Sequence, residues 1–176
     1  MFAKKCRMAN SRFSVLHLNI RSINQNLSEL TDLLISLDHR FHAIGITETW
    51  LNDYNHSVSI ENYEFIHSYR KNRPGGGVGL YLDNNLDCKY KNRSNLKFEN
   101  SKLTDSLFVE VTVPKGKNII IGVVYRAPRD NLAEFVKDFN EVIDKITKEN
   151  KICYLMGYFN VNLMNYQTNN LTGEFL

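Results

Sequence analysis

The sequence contains no apolar run approaching the roughly 18 residues that a membrane span requires, which excludes a spanning helix. The opening stretch MFAKKCRMANSRF is basic and has no apolar segment long enough for a secretory signal. Cysteine is scarce. Cys6, Cys88 and Cys153 are odd in number and scattered, which argues against a disulfide framework and for a reducing, intracellular setting. They also lack the close pairing of a zinc site. Charge of one sign is wanting too. A net charge of +3 permits nucleic-acid binding without requiring it. The two local basic clusters, Tyr69 to Arg73 and Lys89 to Arg93, read most simply as solvated loops.

Other absences narrow the chemistry. There is no internal repeat, low-complexity tract or linker, and elements follow one another closely, as in one domain. The glycines of Pro74-Gly75-Gly76-Gly77-Val78-Gly79 are not followed by Gly-Lys-Ser/Thr, so they are not a P-loop. They lead into a strand, and tight turning is their expected role. His17, His39, His42, His56 and His67 show no metal-ligand spacing on one helix. His17 alternates with Leu16 and Leu18, which suits a structural role.

What is present is a strand–helix alternation. Residues 14–20 read as a strand, Asn26 to Leu37 as a helix with Leu27, Leu30, Leu34 and Leu37 at helical spacing, and 43–48 as a second strand. That order predicts a parallel pair with a right-handed crossover. Strands are expected at 63–69, 77–82, 106–113 and 118–125, with a hairpin turn at Pro114 to Lys117. A second helix spans about Leu132 to Thr147, with Leu132, Phe135, Val136, Phe139, Val142, Ile143 and Ile146 on one face. Asn131 and Glu134 stand at capping-box spacing before it. Residues 151–159 form the last strand. The mixture predicts an α/β fold of sheets covered by helices on their outer faces.

Four polar residues each end an apolar strand: Asn19, Glu48, Tyr125 and Asn160. Adjacent strand ends in layered α/β domains converge on a crevice. A lone carboxylate among amides and a phenol suits a hard divalent cation such as Mg2+, which prefers oxygen ligands and often takes only one or two carboxylates. Such an ion polarises a phosphoryl group, and amide and phenol donors hold the phosphate. Taken singly, each residue has a plainer reading: Asn19 as a turn cap, Glu48 as a surface acid, Tyr125 as half-buried packing.

The segments HLNIRSI (17–23), ITETWL (46–51), PGGGVGLYL (74–82), VVYRAP (123–128) and LMGYFNVNL (155–163), in this order, resemble the endonuclease/exonuclease/phosphatase superfamily. Within it they look most like the endonuclease domain of non-LTR retrotransposons, the long interspersed elements. The resemblance implies a four-layer α/β sandwich, two mixed sheets between helices, over residues 13–176, with residues 1–12 as a basic tail. It implies Mg2+-dependent phosphodiester hydrolysis, with Mn2+ as the alternative ion. The substrate would be DNA, nicked to prime a fused reverse transcriptase, in the nucleus or the cytoplasm. Carried across by motif, Asn19 falls in the metal and phosphate site and Glu48 is the metal-binding carboxylate. Tyr125 contacts the scissile phosphate, and Asn160 holds phosphate or orients the attacking water. Arg21 and Arg126 flank the motifs and are candidate contacts to the DNA backbone.

Two departures from the family pattern stand out. Gly157-Tyr158-Phe159-Asn160 replaces the family's Gly-Asp-Phe-Asn, so Tyr158 occupies the position of a catalytic Asp. A phenol with an ordinary pKa of about 10 is neutral at pH 7 where a carboxylate is charged. The family also continues to a Ser-Asp-His motif, whereas no His follows Asn160. These departures imply a domain incomplete at its C-terminus, with an exposed sheet edge, and an inactive or impaired enzyme. The alternative is a catalytically dead nucleic-acid-binding module or an inert fragment. Branches acting on abasic DNA, RNA tails, inositol phosphates or sphingomyelin fit the motifs less well.

Overall fold

A computed structural model of the chain describes residues 13–53, 58–70, 74–86, 88–113, 116–165 and 172–173. The basic tail at 1–12, Cys6, His56, Lys71 to Arg73 and the Pro114-Lys115 half of the expected hairpin turn lie outside the described residues. In chain order the elements are β1 (Val15–Asn19), α1 (Ile23–Ser36), β2 (Ala43–Thr47), β3 (Tyr63–Ser68), β4 (Val78–Asp83), β5 (Tyr90–Asn92), β6 (Thr104–Val111), β7 (Ile119–Arg126), α2 (Leu132–Lys148) and β8 (Ile152–Tyr158). Short 3-10 turns occupy Asn84–Leu86 and Leu163–Asn165.

Two four-stranded sheets, ordered β1-β2-β4-β3 and β5-β6-β7-β8, pack face to face. Each contains one parallel pair. β1 runs parallel to β2, with Asn19 opposite Thr47, and β7 runs parallel to β8, with Tyr125 opposite Tyr158. The remaining pairings are antiparallel. The period-2 alternation of strands sorts the side chains into layers. Val78, Leu80 and Leu82 of β4 meet Ile119, Ile121 and Val123 of β7 between the sheets. Ile44, Ile46 and Tyr81 face outward onto Ile23 and Leu30 of α1. Ile120 and Val124 face the other way, onto Phe135, Val136, Val142 and Ile146 of α2. The result is the expected four-layer α/β sandwich. β2, β4 and β7 are buried along their whole lengths, which explains their near-continuous apolar sequences.

The helices show why their ends lie where they do. The Asn131 side chain caps α2 by accepting from the backbone N–H groups of Ala133 (2.9 Å) and Glu134 (3.3 Å). Glu134 in the first turn and Lys145 and Lys148 in the last complement the helix dipole. α1 begins three residues before the expected Asn26, which instead has non-helical torsions (φ −114°, ψ 19°) and marks a kink. Its side chain donates to the carbonyls of Ile20 (2.7 Å) and Arg21 (3.0 Å), a local bond that competes with the helix ladder. Leu27, Leu30 and Leu34 pack as expected. Leu37 does not: it is 44% exposed and is the C-cap, because the chain turns away at Asp38 (φ 44°). β5 was not expected from the sequence. It is a three-residue edge strand within one of the basic clusters, too short and polar to carry an alternation.

Far from the ends of β1 and β2, a knot of charges ties β5, β6, α2 and β8. Glu110 is 1% exposed and pairs with Arg93 Nη1 (2.6 Å) and Lys151 Nζ (2.9 Å), and accepts from Asn118 Nδ2 (2.7 Å). Arg93 and Lys151 also bind Glu149. Burial alone would raise the Glu110 carboxyl, but the hydrogen bonds from Lys151, Asn118 and Arg93 outweigh it and hold its pKa at about 2. Hydrogen bonds from Arg93 and Lys151 bring Glu149 to about 2 as well. Both folded-state values lie below the ordinary 4.5, so the unfolded chain binds more protons in this range. The stability these groups confer is complete above that ordinary value and drains as pH falls towards 2. Urea unfolding across this window is expected to show that loss, and Glu110→Gln to flatten it. At neutral pH, Glu110→Ala leaves the buried Arg93 and the half-buried Lys151 with Glu149 alone and is expected to cost about 1–3 kcal/mol.

Candidate functional site

The carboxyl ends of β1 and β2 continue side by side beyond the strands. Ile20 N–H donates to Thr47 O (3.0 Å), Ser22 N–H to Glu48 O (2.9 Å) and Ile23 N–H to Thr49 O (3.0 Å). This zipper sets Asn19 beside Glu48. The Thr47 hydroxyl donates to Asn19 Oδ1 (3.3 Å), which turns the amide so that Nδ2 donates to Glu48 Oε1 (3.1 Å). His17 Nε2 lies 3.3 Å from the same Thr47 hydroxyl, and burial lowers its pKa. The imidazole thus stands behind the Thr47–Asn19 pair, the structural place its alternation with leucines suggested.

The opposite sheet supplies Tyr125, 6% exposed at the end of β7. Its phenol faces the Glu48 carboxylate of the first sheet, close enough to feel its charge. Burial first, then the neighbouring Glu48 carboxylate, push the phenol pKa up to about 12. Arg70 lies over the Tyr125 ring, 5.9 Å from its centroid. Arg70 is itself held by Asp105 (Nε to Oδ1 2.8 Å, Nη2 to Oδ2 2.7 Å) and by the Leu103 carbonyl (2.8 Å). Asp105 Oδ2 also accepts from Gly77 N–H (2.9 Å). Gly75, Gly76 and Gly77 have φ of 76°, 71° and 81°, a left-handed run that returns the chain to β4 as a turn. At Gly77 a Cβ would lie 2.5 Å from Thr49 Oγ1.

Tyr158 ends β8 in register with Tyr125 and is 44% exposed. It follows Tyr154 and Met156 on the face of β8 that packs between the sheets. Asn160 has φ 50°, and its Nδ2 donates to the Arg126 carbonyl (2.7 Å). Arg126, a candidate DNA contact in the sequence, is placed otherwise. It is 4% exposed, and its guanidinium donates to the carbonyls of Phe159 (3.1 Å), Asn160 (3.0 Å) and Asp130 (2.6 Å). Buried and bound to three carbonyls, it braces the loop that carries Asn160 rather than meeting a phosphate. Arg21, by contrast, is exposed at the lip, with φ 45°.

The structure therefore brings Asn19, Glu48 and Tyr125 together, Asn19 hydrogen-bonded to Glu48 and the Tyr125 phenol facing its carboxylate, with Tyr158 beside Tyr125 on the adjacent strand. Five of the eight non-glycine residues with positive φ, among those described, are Arg21, Ser22, Glu48, Trp50 and Asn160. Backbone strain of this kind concentrates at functional sites. Among the described residues no Lys or Arg ion-pairs with Glu48, although Asp105 nearby is fully engaged by Arg70. No group of three or more His, Cys, Asp or Glu that could cage a metal occurs among them either. One uncompensated carboxylate beside an amide fits a hard cation that keeps most of its water, such as Mg2+, and does not fit zinc or a calcium cage.

Solved structures with the same architecture include the endonuclease domain of TRAS1, a telomere-specific non-LTR retrotransposon. Its TM-score is 0.64 at 13% identity, over 93% of this chain and 71% of that one. TDP2 of D. rerio, complexed with a single-strand DNA product, matches with TM-score 0.64 at 13% identity, over 94% and 65%. The AP endonuclease LMAP from Leishmania major matches with TM-score 0.63 at 15% identity, over 88% and 57%. The fold is that of the endonuclease/exonuclease/phosphatase superfamily. The chain spans 57% to 71% of the length of these three structures. No family model and no curated protein matches it in sequence.

Within this fold, sequence reasoning missed Thr47, the Arg70–Asp105 pair and Trp50. Arg70 belongs to a basic cluster that reads as solvent-facing, and Asp105 precedes β6's apolar run without a motif. The available signal was the glycine run, since three consecutive left-handed residues need something to hold them.

Two outcomes test this geometry. Glu48→Gln keeps a hydrogen-bonding group but removes the charge that disfavours the phenolate. The Tyr125 pKa is expected to fall from about 12 towards its ordinary value of 10.0, read by NMR of 13C-labelled tyrosine. Gly77→Ala is expected to lower stability by about 1–3 kcal/mol in chemical denaturation, since it combines left-handed strain with overlap on Thr49.

Proposed function

We propose that this chain is an endonuclease-type domain of the non-LTR retrotransposon kind, binding DNA at the strand ends, with phosphodiester hydrolysis impaired at Tyr158. The observation that carries the reading is the Asn19–Glu48–Tyr125 group. It presents a carboxylate that no cation among the described residues pairs with, at the mouth of a fold shared with a retrotransposon endonuclease. The five motif segments quoted from the sequence support the narrower assignment. A fused reverse transcriptase and a nuclear site of action belong to the same reading. No helix among the described residues is long and apolar enough to cross a membrane.

The roles follow from chemistry. Glu48 would hold the divalent ion, Mg2+ or Mn2+, with Asn19 beside it, and the ion when bound supplies Lewis-acid polarisation of a phosphoryl oxygen. With its pKa at about 12, Tyr125 keeps its proton at neutral pH and serves as a donor to a phosphate oxygen. Asn160 donates one of its two amide N–H bonds to Arg126 O, which leaves the other to donate to a phosphate oxygen and Oδ1 to accept from water. The amide can therefore hold phosphate or orient the attacking water. Arg21, exposed at the lip, remains the candidate for the DNA backbone, and Arg126 is withdrawn from that role.

Tyr158 is where the reaction falters. A neutral phenol cannot take a proton from water as a carboxylate does, and loss of one general acid–base group typically costs about 10²–10⁴-fold. Incubation of supercoiled plasmid with Mg2+ tests this. The unmodified chain is expected to nick no faster than Glu48→Gln. Tyr158→Asp is expected to raise the rate at least about 10²-fold, and Tyr158→Asp with Glu48→Gln to abolish the gain. Efficient nicking by the unmodified chain, lost in Glu48→Gln, contradicts the impairment. No gain in Tyr158→Asp contradicts Tyr158 as the lesion.

A further inference from the structure

Trp50 is the single tryptophan of the chain, and its setting is unusual. Its neighbours Thr49 and Leu51 are buried at 0% and 7%, while its own side chain is 37% exposed. The backbone that turns it outward has φ 53°, a conformation that bulky residues avoid. Two bonds to the glycine turn hold it there: Thr49 N–H to Gly77 O (3.3 Å) and Trp50 N–H to Gly76 O (2.9 Å). The indole Nε1 lies against Gly75, where a Cβ would approach within 3.8 Å, and the next glycine backs onto Arg70 and Asp105. Trp50 is therefore a rigidly mounted aromatic, two residues from Glu48 and one turn of backbone from the Arg70–Tyr125 stack.

Its surroundings narrow what it could receive. The exposed Arg21 lies on the segment zipped to Thr47–Thr49, so a cation and an indole share one lip beside the Glu48 carboxylate. Tyr158 adds a second exposed aromatic on the facing sheet. Cations that track a phosphate backbone, interleaved with aromatic faces, are the recognition chemistry of unpaired nucleotides. A stacked duplex offers no base face to an indole.

We propose that Trp50 is a stacking platform for an unpaired DNA base, so that this site takes single-stranded or locally unstacked DNA in preference to intact duplex. The inference rests on the DNA-binding reading above and adds the form of DNA bound. It concerns binding, so it holds whether or not Tyr158 permits hydrolysis.

Because the chain has one tryptophan, its fluorescence reports the contact directly. The full chain, in EDTA to prevent cleavage, is titrated with fluorescein-labelled oligo(dT) and with a duplex of equal length, following anisotropy of the label. Unlabelled DNA is used in parallel to follow indole emission. The expected result is quenching by oligo(dT), with weaker binding and little quenching by duplex. Trp50→Ala is expected to weaken oligo(dT) binding roughly five- to a hundred-fold, and Trp50→Phe to retain most of it. Circular dichroism confirms that both variants fold. Binding by anisotropy without quenching, and unchanged in Trp50→Ala, overturns the platform and leaves the DNA-binding reading standing. Absence of binding to either DNA overturns both.

Discussion

The meeting of Glu48 and Tyr125 is the contact on which the site depends, because its partners come from different sheets. Each sheet contributes one parallel pair, and parallel strands deliver their carboxyl ends to the same side. Stacking the sheets so that β1 and β2 lie over β8 and β7 makes those ends converge. Polar residues that would be ordinary loop entries in a single sheet then face one another across a narrow mouth. The apolar layer between the sheets sets their spacing, with Val78, Leu80, Ile121 and Val123 fully buried. That packing brings the polar residues of the rim together, and the Thr47–Asn19–Glu48 hydrogen bonds then orient them.

Around this contact the backbone is pinned at some cost. Glu48, Trp50 and Asn160 sit in left-handed torsions, each tied by bonds from a neighbouring loop. Arg70 and Arg126, the two arginines closest to Tyr125 and Asn160, are both used internally. One fixes the glycine turn through Asp105, and the other fixes the loop after β8. The rim is thus rigid, and among the described residues no cation pairs with its Glu48 carboxylate. Tyr158 stands on this prepared rim as an aromatic where the motif resemblance calls for an acid.

Much of this was legible in the residues. Strands buried on both faces announce themselves as apolar runs, so β2, β4 and β7 fall within a residue or two of expectation, as do the less buried β8 and α2 with its Asn131 cap. The polar residue at each strand end was visible for the same reason. Meeting of the strand ends was not, because convergence depends on how two sheets stack, and no local spacing encodes that. Arg126 shows the same limit. Beside Tyr125 it reads as a surface cation, yet β7 lies inside the sandwich and carries it into a ring of carbonyls. Leu37 failed because helical periodicity runs past the point where the chain turns, and β5 because three polar edge residues carry no period. Trp50 had no signal of its own, since exposure of one residue between two buried ones is a tertiary fact.

The central claim is that Glu48, held between the sheets by Asn19 and Tyr125, is a cation-binding carboxylate. Paramagnetic broadening tests it without requiring turnover. Mn2+ added to 15N-labelled protein is expected to broaden the amide signals of Asn19, Glu48, Tyr125 and Asn160 first, to release them on addition of excess Mg2+, and to spare them in Glu48→Gln. Broadening centred on another part of the fold, or unchanged in Glu48→Gln, would contradict the account.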